Sequence, residues 1–121
     1  MSIRVLVVED EDDLRTSVAS LLEAAGYEVR EAADGDAALR ILDDNGVTVM
    51  ILDIRMPRRD GIAVLDALEK PPAVVLVSAH RIDDELRTRV GPKVYQFLHK
   101  PVPPRQLLEA VAGAASHRRA P

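Results

Sequence analysis

The chain of 121 residues has no cysteine and no tryptophan. The first absence removes disulfides and zinc–thiolate sites, and it fits a reducing cytosol. The second, with only one Phe and two Tyr, leaves aliphatic side chains to fill the core. No apolar run approaches the roughly 20 residues that a membrane helix needs, so no membrane span is expected. The opening MSIRVLVVED has too short an apolar segment for a signal peptide and ends in acids. A net charge of −4 argues against direct nucleic-acid binding, because phosphate backbones select basic surfaces. What is present is enough for one domain: the length suits one, and 47% apolar residues exclude disorder by composition.

Short apolar runs alternate with helical patterns. Ile3–Val8, Tyr27–Arg30, Val47–Leu52, Ala73–Val77 and Val94–Leu98 read as strands. Their runs are continuous rather than alternating, which suits parallel strands covered on both faces. Between them, apolar residues recur at helical spacing. The first helix carries Leu14, Val18, Leu21, Leu22 and Ala25, with Gly26 at its C-cap. Ala38, Leu39 and Leu42 mark the second, stopped near Asn45-Gly46, and Ile62, Leu65 and Leu68 the third, ended by Pro71-Pro72. Ile82, Leu86 and Val90 mark the fourth, ended by Gly91-Pro92, and Leu107, Leu108, Val111 and Ala115 the fifth, opened by Pro103-Pro104. Five β–α units with right-handed crossovers give an α/β fold, a parallel sheet with helices on both faces. The domain is expected over residues 1–115, with a flexible tail over 116–121 that contains His117, Arg118 and Arg119.

Ligands of open α/β sheets bind beyond the carboxyl ends of the strands. Glu9-Asp10-Glu11-Asp12-Asp13 follows strand one, Asp53 follows strand three, Ser78 strand four and Lys100 strand five. No Gly-rich loop follows strand one, so neither a dinucleotide fingerprint nor a P-loop is present. Clustered carboxylates suit a hard divalent cation, and magnesium takes one or two carboxylates while keeping waters or phosphate oxygens in its other positions. With the ion bound, Asp53 can act as a nucleophile toward a phosphoryl group, forming an aspartyl-phosphate. Lys100 would supply fixed positive charge, and Ser78 a hydroxyl donor to a phosphoryl oxygen. Plainer readings exist for each. The acids can serve the dipole of the first helix, with Asp12 or Asp13 as N-cap. Asp53 can be a turn residue before Met56-Pro57, Ser78 can cap helix four, and Lys100 can be solvated.

Taken together, these residues resemble the receiver domain of two-component response regulators, the CheY-like family. VVED at 7–10 is similar to its magnesium-holding acidic pair, and LDIRMP at 52–57 with Asp60-Gly61 to its phosphoacceptor segment. VSA at 77–79 is similar to its switch hydroxyl segment, and FLHKP at 97–101 to its lysine segment, whose lysine–proline bond is usually cis. GYEV at 26–29 and ADG at 33–35 also fit. The resemblance implies a flavodoxin-like (βα)5 three-layer sandwich with five parallel strands in the order 2-1-3-4-5. It implies magnesium held by Glu9, Asp10, Asp53 and the backbone carbonyl of Arg55, with Asp53 as phosphoacceptor and Lys100 on the phosphoryl group. Ser78 and Phe97 become the switch pair, with Tyr95 on the same strand face able to share the aromatic's role. Arg55 and His80, at the mouth, become the residues that tune phosphoryl lifetime by shielding the acyl phosphate from water. Implied partners are a histidine kinase or phosphotransfer protein, an output protein, and a second copy through the face of helix four, strand five and helix five. Arg81, Arg87, Arg89, Lys93 and Arg105 are expected on or near that face, and the location implied is cytoplasmic.

The chain departs from the family pattern in three places: Arg59 stands where the family often has Met, Phe97 has no hydroxyl to report the switch by a phenolic hydrogen bond, and the joint before the last strand is longer. Gly91 lies nine residues before Lys100 rather than about seven, so the joint at Gly91-Pro92-Lys93 is two residues longer. A magnesium-dependent phosphohydrolase with an aspartyl nucleophile is the enzymatic alternative, but its usual second acid two residues on is replaced by Arg55. A phosphorylation-independent interaction module is the other. The reading is a signalling switch that catalyses only its own phosphorylation and dephosphorylation.

Overall fold

The computed structural model describes residues 3–44, 46–56 and 58–119. Five parallel strands, β1 (Arg4–Val8), β2 (Glu28–Ala32), β3 (Val49–Asp53), β4 (Ala73–Ser78) and β5 (Gln96–His99), pair in the order β2-β1-β3-β4-β5. Helices α1 (Asp12–Ala24), α2 (Gly35–Asp44), α3 (Gly61–Asp66), α4 (Asp84–Val90) and α5 (Pro104–Arg119) connect or follow them. The flavodoxin-like three-layer fold expected from the sequence is therefore present. Central strands β3 and β4 are buried along their whole length, as continuous apolar runs require. Edge strand β2 is mostly exposed, which explains its weaker apolar signal. Among the described residues no helix is long and apolar enough to cross a membrane.

Alternate residues along each strand supply two cores. Val5, Val7, Val49, Ile51, Val75 and Val77 face α1 and α5, whose Leu22, Leu107, Ala110 and Val111 complete that layer. Leu6, Val8, Met50, Leu52, Val74 and Leu76 face α2, α3 and α4, and there they meet Ala38, Val64, Leu65 and Val90.

Several local expectations change. The N-cap of α1 is Glu11, and Asp12 and Asp13 lie in the first turn, where their charges still favour the helix dipole. Its exit runs through Ala25 to Gly26, whose φ of 99° is the left-handed conformation that glycine adopts freely. The long joint before β5 forms a 3-10 turn, Gly91–Lys93. Lys93 is not a free surface cation: its Nζ donates to the carbonyls of Leu65 at 2.8 Å and Leu68 at 2.7 Å, at the end of α3. Helix α5 includes Ser116 to Arg119 of the expected tail, and the His117 ring lies 5.2 Å from that of Tyr95. Asn45 of the break expected near Asn45-Gly46, Pro57 of the turn expected at Met56-Pro57, and the last two residues of the tail lie outside the described residues.

Candidate functional site

The sheet's hydrogen bonding continues one residue past its strands, and that places the site. The Glu9 amide donates to Ala32 O at 3.0 Å, that of Ile54 to Val77 O at 3.1 Å, and that of Lys100 to Ser78 O at 2.8 Å. The β3–β4 register sets Asp53 beside Val77, and the β4–β5 register sets Ser78 beside His99. Residues distant in sequence thus arrive on one rim with their backbones already held. The Lys100–Pro101 peptide bond is cis, as the family resemblance implies.

Lys100 is the hub of the rim. Its Nζ lies 2.6 Å from Glu9 Oε1 and 3.0 Å from Asp53 Oδ2. The remaining Glu9 oxygen accepts from the Glu11 amide at 3.1 Å, and Asp53 Oδ1 accepts from the Arg55 amide at 3.2 Å. Glu9, Asp53 and Ser78 are buried polar residues, whereas Asp10 is exposed at the mouth. One oxygen from each of Glu9, Asp10 and Asp53 falls within 4.8 Å of the others. Three carboxylates against one ammonium leave excess negative charge, and an all-oxygen set of this span fits a hard divalent ion such as Mg2+.

The titration of these groups follows from the crowding. Lost solvent, then the hydrogen bond and charge of neighbouring Glu9, raise the Asp10 carboxyl above its ordinary value. A raised acid binds its proton more tightly when folded, so Asp10 detracts from stability as pH rises through that value. Burial lowers the Lys100 ammonium, but hydrogen bonds and charge from Glu9 and Asp53 outweigh it and the net direction is upward. Its contribution to stability is therefore complete below the ordinary lysine value and is lost as pH rises through the higher folded one.

Other expected residues occupy distinct places. The Ser78 hydroxyl is held in a local turn, accepting from the His80 amide at 3.0 Å and donating to the His80 carbonyl at 2.9 Å. It does not cap helix four: Asp83 does, accepting from the Leu86 amide at 2.9 Å. The Arg55 and His80 side chains are exposed. Phe97 is partly buried against the α2–α4 core, with the Arg87 guanidinium 4.7 Å over its ring. Tyr95, expected on the same face, packs instead on α5, against Gly113 and His117. The reason is that Tyr95 precedes the regular part of β5, so strand alternation does not reach it. Of the basic residues expected on the outer face, Arg81 and Arg87 are exposed, Arg89 pairs with Asp66 at 3.0 Å, and Arg105 with Glu109 at 3.2 Å.

Three contributors were missed in the sequence. A Cβ on Gly61 would stand 2.5 Å from the Asp53 carbonyl, so only glycine lets α3 begin against the end of β3. A Cβ on Gly35 would meet the Arg59 carbonyl at 2.2 Å, where the loop carrying Arg58 at φ 67° closes on α2. Arg15 reaches back from α1 to the Glu9 carbonyl at 2.8 Å and to Asp12 at 2.7 Å, tying the acidic loop down. The motifs containing both glycines were visible, but which backbone they touch is a long-range fact.

Known proteins with similar sequences and structures point one way. The sequence model described as "Response regulator receiver domain" matches residues 5–112. The transcriptional regulatory protein PrrA of Mycobacterium tuberculosis is 39% identical over 87 residues, covering 69% of this chain and 37% of that protein. The aerobic respiration control protein ArcA of Escherichia coli is 32% identical over 105 residues, covering 85% of this chain and 44% of that protein. This chain thus spans less than half the length of either. The chemotaxis protein CheY4 of Vibrio cholerae superposes with a TM-score of 0.87 at 28% identity, covering 94% of this chain and 99% of that one.

Proposed function

Because this chain belongs to the response regulator receiver domain family, a family of signalling modules, we propose that it is the phosphoacceptor of a two-component system. A histidine kinase or phosphotransfer protein presents a phosphohistidine. An Asp53 carboxylate oxygen attacks phosphorus in line; the new P–O bond forms as the P–N bond breaks, and the imidazole leaves as a base that takes up a proton. Glu9, Asp10, Asp53 and the Arg55 carbonyl would hold Mg2+, which when bound supplies positive charge to the phosphoryl oxygens. The observation that carries this reading is the Lys100 ammonium shared between Glu9 and Asp53, with Asp10 as a third acid within reach. Such an ammonium is already aimed at the atom that will bear the phosphoryl group, so little reorganisation is needed when charge develops there.

The switch follows from what the new dianion attracts. Ser78 leaves its turn with His80 to donate to a phosphoryl oxygen, and the β4–α4 loop moves with it. The Phe97 ring then turns inward from beneath Arg87. The α4–β5–α5 face changes shape and charge, and there it engages an output partner or a second copy of the chain. PrrA and ArcA are named as regulators of transcription and respiration, and an output of that kind suits this module, working in the cytoplasm and leaving nucleic-acid contact to another domain. Arg55 and His80, exposed at the mouth, set how readily water reaches the acyl phosphate.

Incubation with acetyl phosphate and Mg2+, read by intact mass, should add one phosphoryl group to this chain and none to Asp53→Asn. Equal labelling of the two proteins would move the acceptor elsewhere.

A further inference from the structure

Beneath the acidic rim, on the α1/α5 side of the sheet, lies a cavity of about 390 Å³ that shares Glu9, Asp53 and Lys100 with the phosphoacceptor site but whose apolar interior that reading does not use. Val7, Ile51 and Val77 form its floor, Leu14 and Val18 one wall, and Leu107 another. Its polar margin consists of Glu9, Asp53 and Lys100. The buried residues of this layer are Val, Ile, Leu and Ala, with Tyr27 packed at its edge. Engineered apolar cavities of about 150 Å³ stay dry and take up benzene, and organic ligand sites begin near 300 Å³. A two-ring or short-chain apolar body is the right size, and water in the interior would lack polar partners.

The margin selects the charge of the head. An ionised carboxylate can accept about four hydrogen bonds, whereas Glu9 and Asp53 each receive two from Lys100 and a backbone amide. Both retain acceptor capacity and neither is a donor. With Asp10 beside them, acids outnumber the one ammonium three to one. An anionic head would be repelled there. A neutral hydroxyl would make only weak bonds, and a primary ammonium would place three donors where acceptors are unspent. We propose that this cavity binds a small organic cation with an apolar body, an aryl- or alkyl-methylammonium whose head sits on Glu9 and Asp53. Such a ligand occupies the oxygens assigned to Mg2+ and so opposes metal loading. The competition rests on the metal reading above; the binding does not.

The test uses the metal-free protein with isotope-labelled methyl groups and three probes: 1-naphthylmethylamine, methylamine and 1-naphthylmethanol. The naphthyl amine should bind and shift the methyl signals of Val18, Ile51 and Leu107. Methylamine should bind at least ~100-fold more weakly, having lost the buried apolar area. The alcohol should bind ~10-fold more weakly, having lost the charge-assisted hydrogen bonds. Val18→Phe, which fills the void, should weaken the naphthyl amine ~10-fold by steric exclusion, and Val102→Phe at the β5–α5 loop should do the same if the first variant fails to fold. With the amine saturating, the Mg2+ titration midpoint should rise at least threefold. An alcohol as tight as the amine, methylamine as tight as the naphthyl amine, or unchanged binding in a folded Phe variant would each overturn the proposal. Because binding is read without metal or phosphodonor, a failure to phosphorylate Asp53 leaves it standing. Amine binding without any change in the Mg2+ midpoint would refute the competition and move the ion elsewhere.

Discussion

The two faces of the sheet are built from the same strands yet packed to different completeness. Toward α2, α3 and α4 point Leu6, Met50, Leu52 and Leu76, all fully buried. Toward α1 and α5 point Val5, Val7, Val49, Ile51, Val75 and Val77, smaller on the whole, and Ile51 and Val77 keep slight exposure along the cavity. Strand alternation decides which layer a residue joins; side-chain volume decides whether that layer closes. One face carries the larger buried side chains, and the other has a cavity immediately beneath the chemistry.

The contrast breaks most visibly at neighbouring positions of β4. Leu76→Ala should cost about 3–5 kcal/mol, because Leu76 is fully buried and its truncation leaves a cavity in the core. Val77→Ala, on the hollow face, should cost nearer 1–2 kcal/mol, since it removes about two methyl-sized groups beside an existing void. Urea unfolding of the pair measures the difference, and equal losses would erase the distinction. Two glycines sharpen it further. Gly35→Ala drives a Cβ to 2.2 Å from the Arg59 backbone and should cost about 2 kcal/mol by overpacking. Gly113→Ala meets only the far end of the Tyr95 side chain, whose residue is 40% exposed and can swing aside. Its helix-propensity gain of up to about 1 kcal/mol should leave stability unchanged or slightly raised, with melting temperature as the readout. The smallest effect is at the surface: Arg87→Ala should cost about 0.5–1 kcal/mol through loss of its contact with the Phe97 ring. In the unphosphorylated protein the Phe97 ring should then show faster or wider motion by NMR, and an unchanged ring would remove the contact's role.

The sequence made the strands, their faces and the rim legible because these depend on period two and on position at a strand end. Glu9, Asp10, Asp53 and Lys100 converge as the β–α order requires. Ser78 reaches the same rim, but its hydroxyl is spent on His80, a choice between two nearby acceptors that no pattern encodes. Strand alternation predicts Tyr95 on the face of Phe97, but the regular strand begins at Gln96 and its alternation does not reach Tyr95. The sequence places Lys93 near the outer face, and its carbonyl partners, 25 and 28 residues away, leave no local mark. Gly35 and Gly61 were seen as motif members, while the backbones they admit were invisible until the chain was folded.

The turn Gly91–Lys93 has a mechanical consequence. Lys93 pins the trailing end of α4 to the carbonyls of α3, and Arg89 adds a second tether to Asp66. The ties at the leading end, the Ser78 turn and the Asp83 cap, are local. In the switch proposed above, a pull on Ser78 would act on a helix held at its trailing end, so the largest displacement would fall at Asp83 and Asp84. A docking partner that gauges this helix would read its angle at that free tip.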